Sequence, residues 1–459
     1  MLGAAESSSR PAASKAARFS WAMFDWANQP FFTVVTTFIF APYFAAQMVG
    51  DPIEGQALWG YTQSIAGVVI AVLSPFLGAI ADAGGPRKPW IFAFQALAVI
   101  GCLLLWWALP GRPDLIGFVM FAIVVATIGA EFSIVFNNAL LPTLVSPSHM
   151  GRLSGFGWAM GYLGGLVALF ITLIVTRPEL LGVAVPAGEA LFGLDRATFE
   201  AERLTGPASA LWLVVFVMPM FLFVPDVVRT GHGQAAAVRL GTHRLIATIR
   251  NLGRYRNPAL FLAAFMAYND GLAAVIAFGG IYAAGIFGWG TTELGSFGII
   301  LTILAALGAF LGGSVDDRWG SKPTIVATII GVAIATLGIL SVTSDGVLFF
   351  VELSPRAPGA IFASTQEQVF LGFAILLGIC MGPMQAASRT MIGRLAPPEM
   401  IGEFYGLFAL SGKATAFLAP FTVAVVTQVA NSQRAGLVVI LVFLVAGWVL
   451  LLGVRESRD

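Results

Sequence analysis

The chain has 459 residues, a formal net charge of +1, 58% hydrophobic residues and only 11% charged ones. Mean hydropathy is +0.86, whereas a soluble domain is nearer a quarter charged. This balance excludes a soluble globular domain, and a charge close to zero gives no electrostatic basis for a nucleic-acid partner.

The apolar residues fall into about twelve runs of roughly 20 or more, each long enough to cross a bilayer as a helix. Backbone groups in lipid find no water, so helices are expected, and the alternation of a membrane barrel is absent. The stretch 1–18 is rich in Ala and Ser, carries Arg10, Lys15 and Arg18, and lacks an apolar core. It reads as a cytoplasmic tail, 1–20, rather than a cleaved signal. Helix one is expected near 21–47, helix two near 58–81, helix three at 89–109 and helix four at 115–142. Helix five follows at 153–176 and helix six at 208–224, with an outer loop 177–207 between them in which 195–203 reads as a short surface helix. A linker, 226–257, separates this first half, 21–225, from a second half, 258–454. Within the linker, Leu240, Leu245, Ile246, Ile249 and Leu252 alternate with arginines, the pattern of a basic amphipathic helix lying on the inner membrane surface. Helices seven to twelve are expected at 258–287, 292–315, 323–342, 368–392, 401–428 and 435–454, before a short tail, 455–459.

Basic loop residues set the orientation. Arg87, Lys88, Arg152, Arg229, Arg239, Arg250, Arg318, Lys322, Arg394 and Arg458 fall on the side of the termini; the other side holds only Arg112, Arg177, Arg196, Arg203, Arg356 and Arg434. Both termini are therefore expected in the cytoplasm.

Two polar stretches echo each other between apolar runs. Gly78-Ala-Ile-Ala-Asp82-Ala-Gly-Gly85-Pro-Arg87-Lys88 follows helix two, and Gly313-Ser-Val-Asp-Asp317-Arg318-Trp-Gly320-Ser-Lys322 follows helix eight. They align without a gap, Gly78 on Gly313, Asp82 on Asp317, Gly85 on Gly320 and Arg87 on Lys322. A second echo follows helices four and ten, where Gly151 and Gly155 match Gly402 and Gly406. Its offset is larger, which places the extra residues in the loop 343–367. Internal repetition of this kind indicates duplicated halves. The expected fold is an all-α integral membrane protein: twelve transmembrane helices as two parallel six-helix repeats around a central cavity.

Polar groups inside the spans are costly and so mark function. They are Asp25 and Asn28 in helix one; Glu131, Asn137 and Asn138 in helix four; Asn269 and Asp270 in helix seven; Gln385 and Arg389 in helix ten; and Lys413 in helix eleven. Helices three, six, nine and twelve carry no charge in their cores. Asp270 is close to mid-membrane, where a carboxylate can hold a proton or bind an ammonium group; a structural pairing with Lys413 or Arg389 is the alternative. Glu131 lies past the middle of helix four, and either it or Asp270 can partner Lys413. Asp25 is about one turn from its helix start, where it complements the helix dipole, and Arg389 near the inner end of helix ten has the length to snorkel. Gly157, Gly161 and Gly165 on helix five, and Gly308 and Gly312 on helix eight, form rows suited to close helix contact. Cys102 and Cys380 lie in separate apolar runs, and His149, His232 and His243 lie in loops, so no disulfide framework, metal site or other cofactor is expected.

The two loop stretches resemble the signature Gly-x-x-x-Asp-Arg-x-Gly-x-(Lys/Arg) of the major facilitator superfamily, with Ala83 where the first copy would have arginine. That resemblance implies that helices one, four, seven and ten line the cavity. It also implies that helices five and eight meet across the halves at the glycine rows, and that Gly78, Asp82, Gly85, Arg87, Gly313, Asp317, Arg318, Gly320 and Lys322 form gates that latch the halves at the inner side. A narrower resemblance rests on Asp25-Trp-Ala-Asn28 in helix one and Tyr268-Asn-Asp-Gly271 in helix seven. Both motifs are similar to those of the vacuole effluxers, autophagy-linked vacuolar amino-acid exporters with bacterial relatives.

The expected function is alternating-access transport of a small solute such as a neutral amino acid, with export implied by the resemblance and proton coupling by the intramembrane carboxylates. Asn28, Asn269 and Asp270 would contact substrate, and Asp270 or Glu131 would carry the proton. Export of amphipathic compounds or lipids is the alternative on the same fold. A membrane enzyme or sensor is disfavoured, since no nucleophile–base pair, phosphate loop or soluble output domain appears. The bilayer and a small-molecule substrate are the expected partners, the expected state is a monomer, and a bacterial inner membrane is the expected location.

Overall fold

The computed structural model describes residues 13–50, 52–228, 230, 234–250, 252–289, 291–354 and 362–456. Of the residues weighed above, Arg10, Arg229, His232, Arg356 and Arg458 lie outside this set. Among the described residues, twelve helices are long and apolar enough to cross a membrane. The first half contains Lys15–Met48 (helix one), Leu58–Gly84 (two), Lys88–Trp107 (three), Pro113–Leu144 (four), Pro147–Thr176 (five) and Glu200–Phe223 (six). The second contains Gly253–Gly280 (seven), Glu293–Trp319 (eight), Ser321–Leu340 (nine), Thr365–Leu395 (ten), Pro398–Thr427 (eleven) and Gln433–Leu452 (twelve).

Local chemistry explains where several of them start. Ser14 accepts from the Ala17 N–H at 3.1 Å and caps helix one. The expected tail 1–20 is therefore already helical from Lys15. After Pro30 the ladder of helix one widens: Ile39 N bonds Val34 O and Val49 N bonds Phe44 O, both at 3.0 Å, the five-residue spacing of π turns. Helix ten opens on a capping box between Ser364 and Glu367. Helix six starts at Glu200, so the separate surface helix expected at 195–203 is instead in part its first turn. That turn buries Arg203, whose Nε donates to the Trp106 carbonyl at 2.8 Å and whose guanidinium sits 4.6 Å over the Trp106 ring. In the loop after helix nine, strands β1 (Gly346–Val347) and β2 (Val351–Glu352) form a short antiparallel hairpin.

The packing of one half recurs in the other. Helix three lies on four as nine lies on ten, and helix one lies on six as seven lies on twelve. Between the halves, helix two runs along eleven and helix five along eight. The glycines that permit this approach belong to both echoes, and Gly78 and Gly313 of the first lie against the backbone of Gly402 and Gly151 of the second. A Cβ on Gly155 would stand 2.3 Å from the Ala309 carbonyl, and one on Gly406 would stand 2.4 Å from the Ser74 carbonyl. The regularly spaced rows do something else. Gly157, Gly161 and Gly165 face Asp25, Gln29 and Thr33 of helix one, while Gly308 and Gly312 face Ile379 and Pro383 of helix ten. The expectation that these rows form the seam is thus corrected: they close each half on itself.

The linker helix, Gln234–Arg250, packs on the end of helix two. Its contact is made by Ala237, Gly241, Leu245 and Thr248, all buried, and Gly241 comes so close that a Cβ would stand 2.7 Å from the Ala79 carbonyl. Leu245 therefore faces protein and not lipid, while Ile246 remains 39% exposed. The expected single apolar stripe on a membrane surface is split between two faces. Thr230 extends the contact, donating its hydroxyl to the Ala83 carbonyl.

The seam yields a test of packing. Gly155→Val should lower the thermal midpoint in detergent, at a cost of about 1–3 kcal/mol for a forced close contact. Gly67→Val, on helix two with nothing within 4 Å of its Cβ position, should leave it unchanged. Equal midpoints for the two variants would contradict the seam.

Candidate functional site

A cavity of about 360 Å³ lies between the halves. Helix one contributes Asp25, Asn28, Gln29 and Phe32, helix four Glu131, Ile134, Val135 and Asn138, and helix five Trp158 and Gly161. The second half contributes Phe265 and Asn269 from helix seven, Gln385 and Arg389 from helix ten, and Tyr405, Phe408, Ala409, Gly412 and Lys413 from helix eleven.

Arg389 crosses from one half to the other. Its Nη1 donates to Asp25 Oδ2 at 2.8 Å and to Asn138 Oδ1 at 3.4 Å; its Nε donates to Ser154 Oγ at 2.9 Å, and Nη2 to the Ser154 carbonyl. The guanidinium lies 4.9 Å from the Trp21 ring centre and 5.7 Å from that of Trp158, distances suited to cation–π attraction. At 4% exposure it does not snorkel. The fork of donors on a planar cation suits a group that must satisfy several acceptors on different helices.

Lys413 makes the second crossing, donating to Glu131 Oε1 at 2.7 Å. This decides the partner that the sequence left open between Glu131 and Asp270. A third polar contact crosses the halves where the Tyr162 hydroxyl donates to Gln385 Oε1. Around Asn28, Gln95 of helix three donates to both Asn28 Oδ1 at 3.0 Å and Ser133 Oγ at 2.9 Å, while Asn28 Nδ2 donates to the Phe24 carbonyl at 2.9 Å. Gln95 escaped the sequence reading because helix three, with no charge in its core, was not among the helices that the resemblance places around the cavity. Beside these groups the wall is aromatic, with Phe265 and Phe408 stacked at 4.1 Å.

Asp270 falls outside this arrangement. It is 1% exposed, does not line the cavity, and is next in sequence to Asn269, which does. The expectation that it touches substrate in the cavity is corrected in this respect. Tyr268, two residues before it, hydrogen-bonds Ser388 of helix ten at 2.7 Å.

The two polar loops join the halves at the face where residues 13 and 456 lie. Asp82 accepts from Gly402 N at 2.9 Å and Glu403 N at 2.8 Å, the free N–H groups that open helix eleven. Asp317 accepts from Gly151 N at 2.7 Å and Arg152 N at 3.1 Å, which open helix five. A carboxylate at a helix N-terminus satisfies unbonded donors and meets the positive end of the dipole. Gly85 and Gly320 end the two turns with φ of 100° and 106°, values open to glycine.

Beyond those glycines the gap-free alignment fails by one residue. Arg87 N and Lys88 N donate to Asp226 at 2.7 and 3.1 Å, whereas Ser321 N and Lys322 N donate to Glu456, both at 2.9 Å. Lys88, not Arg87, is thus the counterpart of Lys322. Lys88 Nζ caps the end of helix six on the Phe221 carbonyl at 2.9 Å, as Lys322 Nζ caps the end of helix twelve on the carbonyls of Leu452 and Val454 at 2.8 Å. Arg87 itself pairs with Asp82 and reaches the carbonyls of Ala81 and Gly85. In the second half Arg394 of helix ten takes that position, bonding Asp316 at 2.7 Å, Glu456 at 3.1 Å and Asp317 at 3.4 Å. The missing arginine at Ala83 therefore does not open the first latch, because the contacts of Asp82 are to backbone and to Arg87.

A profile of the family described as vacuole effluxer Atg22-like matches residues 45–459. An MFS-type transporter of Bacillus subtilis, YxiO, is 26% identical over 453 residues, covering 96% of this chain and 95% of that one. Autophagy-related protein 22-1 of Neosartorya fischeri is 26% identical over 327 residues, or 67% of this chain; the match spans only 49% of the fungal protein. The crystal structure of the human organic anion transporter MFSD10 superposes with a TM-score of 0.66 at 14% identity, covering 95% of this chain and 99% of that one. At that identity the superposition establishes the fold.

The two crossings differ in burial, and that difference is measurable. Asp25→Ala strands a buried guanidinium and should cost about 3–5 kcal/mol. Glu131→Ala should cost less, because the Lys413 side chain is 35% exposed and can be hydrated. A smaller loss of thermal stability for Asp25→Ala than for Glu131→Ala would contradict this ranking.

Proposed function

The chain belongs to the vacuole effluxer Atg22-like family of major facilitator transporters, and we propose that it carries a neutral, zwitterionic solute, such as a neutral amino acid, by alternating access. It is an integral, multi-pass membrane transporter with small-molecule cargo. The finer reading rests chiefly on one observation: the cavity's charges pair across the halves, Asp25 with Arg389 and Glu131 with Lys413. A cargo with net charge would need an unmatched counter-charge in a low-dielectric site. A zwitterion does not. Its carboxylate competes for Lys413 while its ammonium competes for Glu131, and the aromatic wall of Phe32, Phe265 and Phe408 receives an apolar side chain.

Inserting substrate between Glu131 and Lys413 removes a direct bond between the halves, which links binding to the change of access. The Asp82 and Asp317 latches hold the same state as that bond, closed at their face. In this reading that face is cytoplasmic, the transporter works as a monomer in a bacterial inner membrane, and a cation gradient, such as that of protons, supplies the driving force for export. The family resemblance and the basic loops support these assignments.

Reconstituted in liposomes, the protein should exchange labelled neutral amino acids by saturable counterflow. Lys413→Met and Glu131→Gln should each reduce that exchange about tenfold, equivalent to about 1.4 kcal/mol. Folded protein that exchanges none of them, yet moves lipids or amphipathic compounds, would replace the amino-acid reading with the second one.

A further inference from the structure

Helix eleven is broken in mid-span. It runs from Ile401 to Ala414 and resumes from Leu418 to Ala430. Between them Leu418 N bonds Thr415 O at 2.7 Å and Ala416 N reaches Lys413 O at 3.4 Å, in place of the regular ladder. A helix end leaves carbonyl oxygens of its last turn without intrahelical partners. Pro420, in the first turn of the resumed segment, has no N–H for the Ala416 carbonyl and so keeps the ladder from running through the break.

Asp270 of helix seven faces this break. Thr415 is the side chain beside its carboxylate. Asp270 is 1% exposed, and its Oδ1 has no hydrogen-bond partner; the buried Thr415 Oγ1 has none either. A buried carboxylate with no cation beside it is costly in a spanning helix. Among the described residues, the charged side chains on helices nine to twelve, which pack around helix seven, are engaged elsewhere, apart from the exposed Glu399. On helix ten, Arg389 holds Asp25, Arg394 holds Asp316 and Glu456, and Glu367 accepts from Trp289. On helix eleven, Lys413 holds Glu131, and Glu403 lies at the latch beside Asp82 and is itself partnered. Arg434 of helix twelve stacks on Phe349, and Lys322 of helix nine caps helix twelve.

We propose that Asp270, the Thr415 hydroxyl and the backbone carbonyls of the broken turn form a site for a monovalent cation, a proton or a sodium ion, separate from the substrate cavity. Hard oxygen donors at a discontinuous helix suit either ion. The site lies two residues from Lys413, on the segment that carries the Glu131 partner. Loading it fixes the bend of helix eleven and hence the position of Lys413, so that cation occupancy sets how readily the inter-half bond opens. This coupling role rests on the transport reading above; the binding site itself does not.

The test is the thermal midpoint of the purified full chain against sodium concentration at fixed pH, and against pH without sodium. Wild-type protein should be stabilised by one of the two, and that arm identifies the ion: sodium added, or pH lowered. Asp270→Asn should lose the response, and Thr415→Val should shift a sodium response to about tenfold higher concentration or a pH response by about one unit. Thr415→Val keeps the test decisive if Asp270→Asn does not fold. A wild-type response retained in either variant, or wild-type protein indifferent to both ions, would overturn the site. Loss of the response in Asp270→Asn, in protein whose wild type exchanges no amino acid, would keep the site and reject the transport reading instead.

Discussion

A carboxylate set against the free N–H groups of a helix from the opposite half is the contact on which the observed state depends. Asp82 and Asp317 each take two such donors. A single N-cap contributes about 0.5–2 kcal/mol and the dipole about 0.3–1 kcal/mol more. Two latches of that size hold a state firmly and still release it. The same chemistry repeats inside each half, where Asp226 and Glu456 seat the starts of helices three and nine. The latch carboxylates are thus presented by turns that are themselves pinned.

Closure at that face is what gives the cavity its charge arrangement. With helices two and eleven, and five and eight, drawn together at their glycines, Arg389 and Lys413 reach acids on the other half. A charge in a spanning helix must find a partner. Here the partners belong to a different rigid body, so the pairs report on the relative placement of the halves. That makes them responsive to anything that competes for them, which a pair within one half would not be.

The sequence disclosed what stands out against apolar background. The repeated loops, the intramembrane charges and the approximate spans are legible because polar residues in such a chain are rare. The seam was half legible: the echo marked Gly155 and Gly406 as equivalent, but the regular spacing of Gly157, Gly161 and Gly165 drew the packing argument to the wrong face. A row of small residues says that something comes close, not which helix. The partner of Lys413 depended on distances between helices that no local pattern encodes. Asp226, Glu456 and Arg394 lay at helix ends, where a charge looks merely solvated. The one-residue shift after Gly85 was hidden because Arg87 and Lys88 are adjacent and both basic. The break in helix eleven lies between Gly412 and Pro420, but the apolar run continues through it, so the sequence read as one span and Asp270 could not be separated from the cavity residues beside it.

The most direct test of the latches is a distance measurement across them. Spin labels at exposed Ser148 and Glu399, one on each half at the latched face, can be introduced in a background lacking Cys102 and Cys380. In lipid nanodiscs, double electron–electron resonance should give a single short distance for the otherwise wild-type protein. With Asp82→Asn and Asp317→Asn combined, the distribution should move to longer values as the face opens. An unchanged distribution in the double variant would contradict the claim that these two carboxylates hold the halves together.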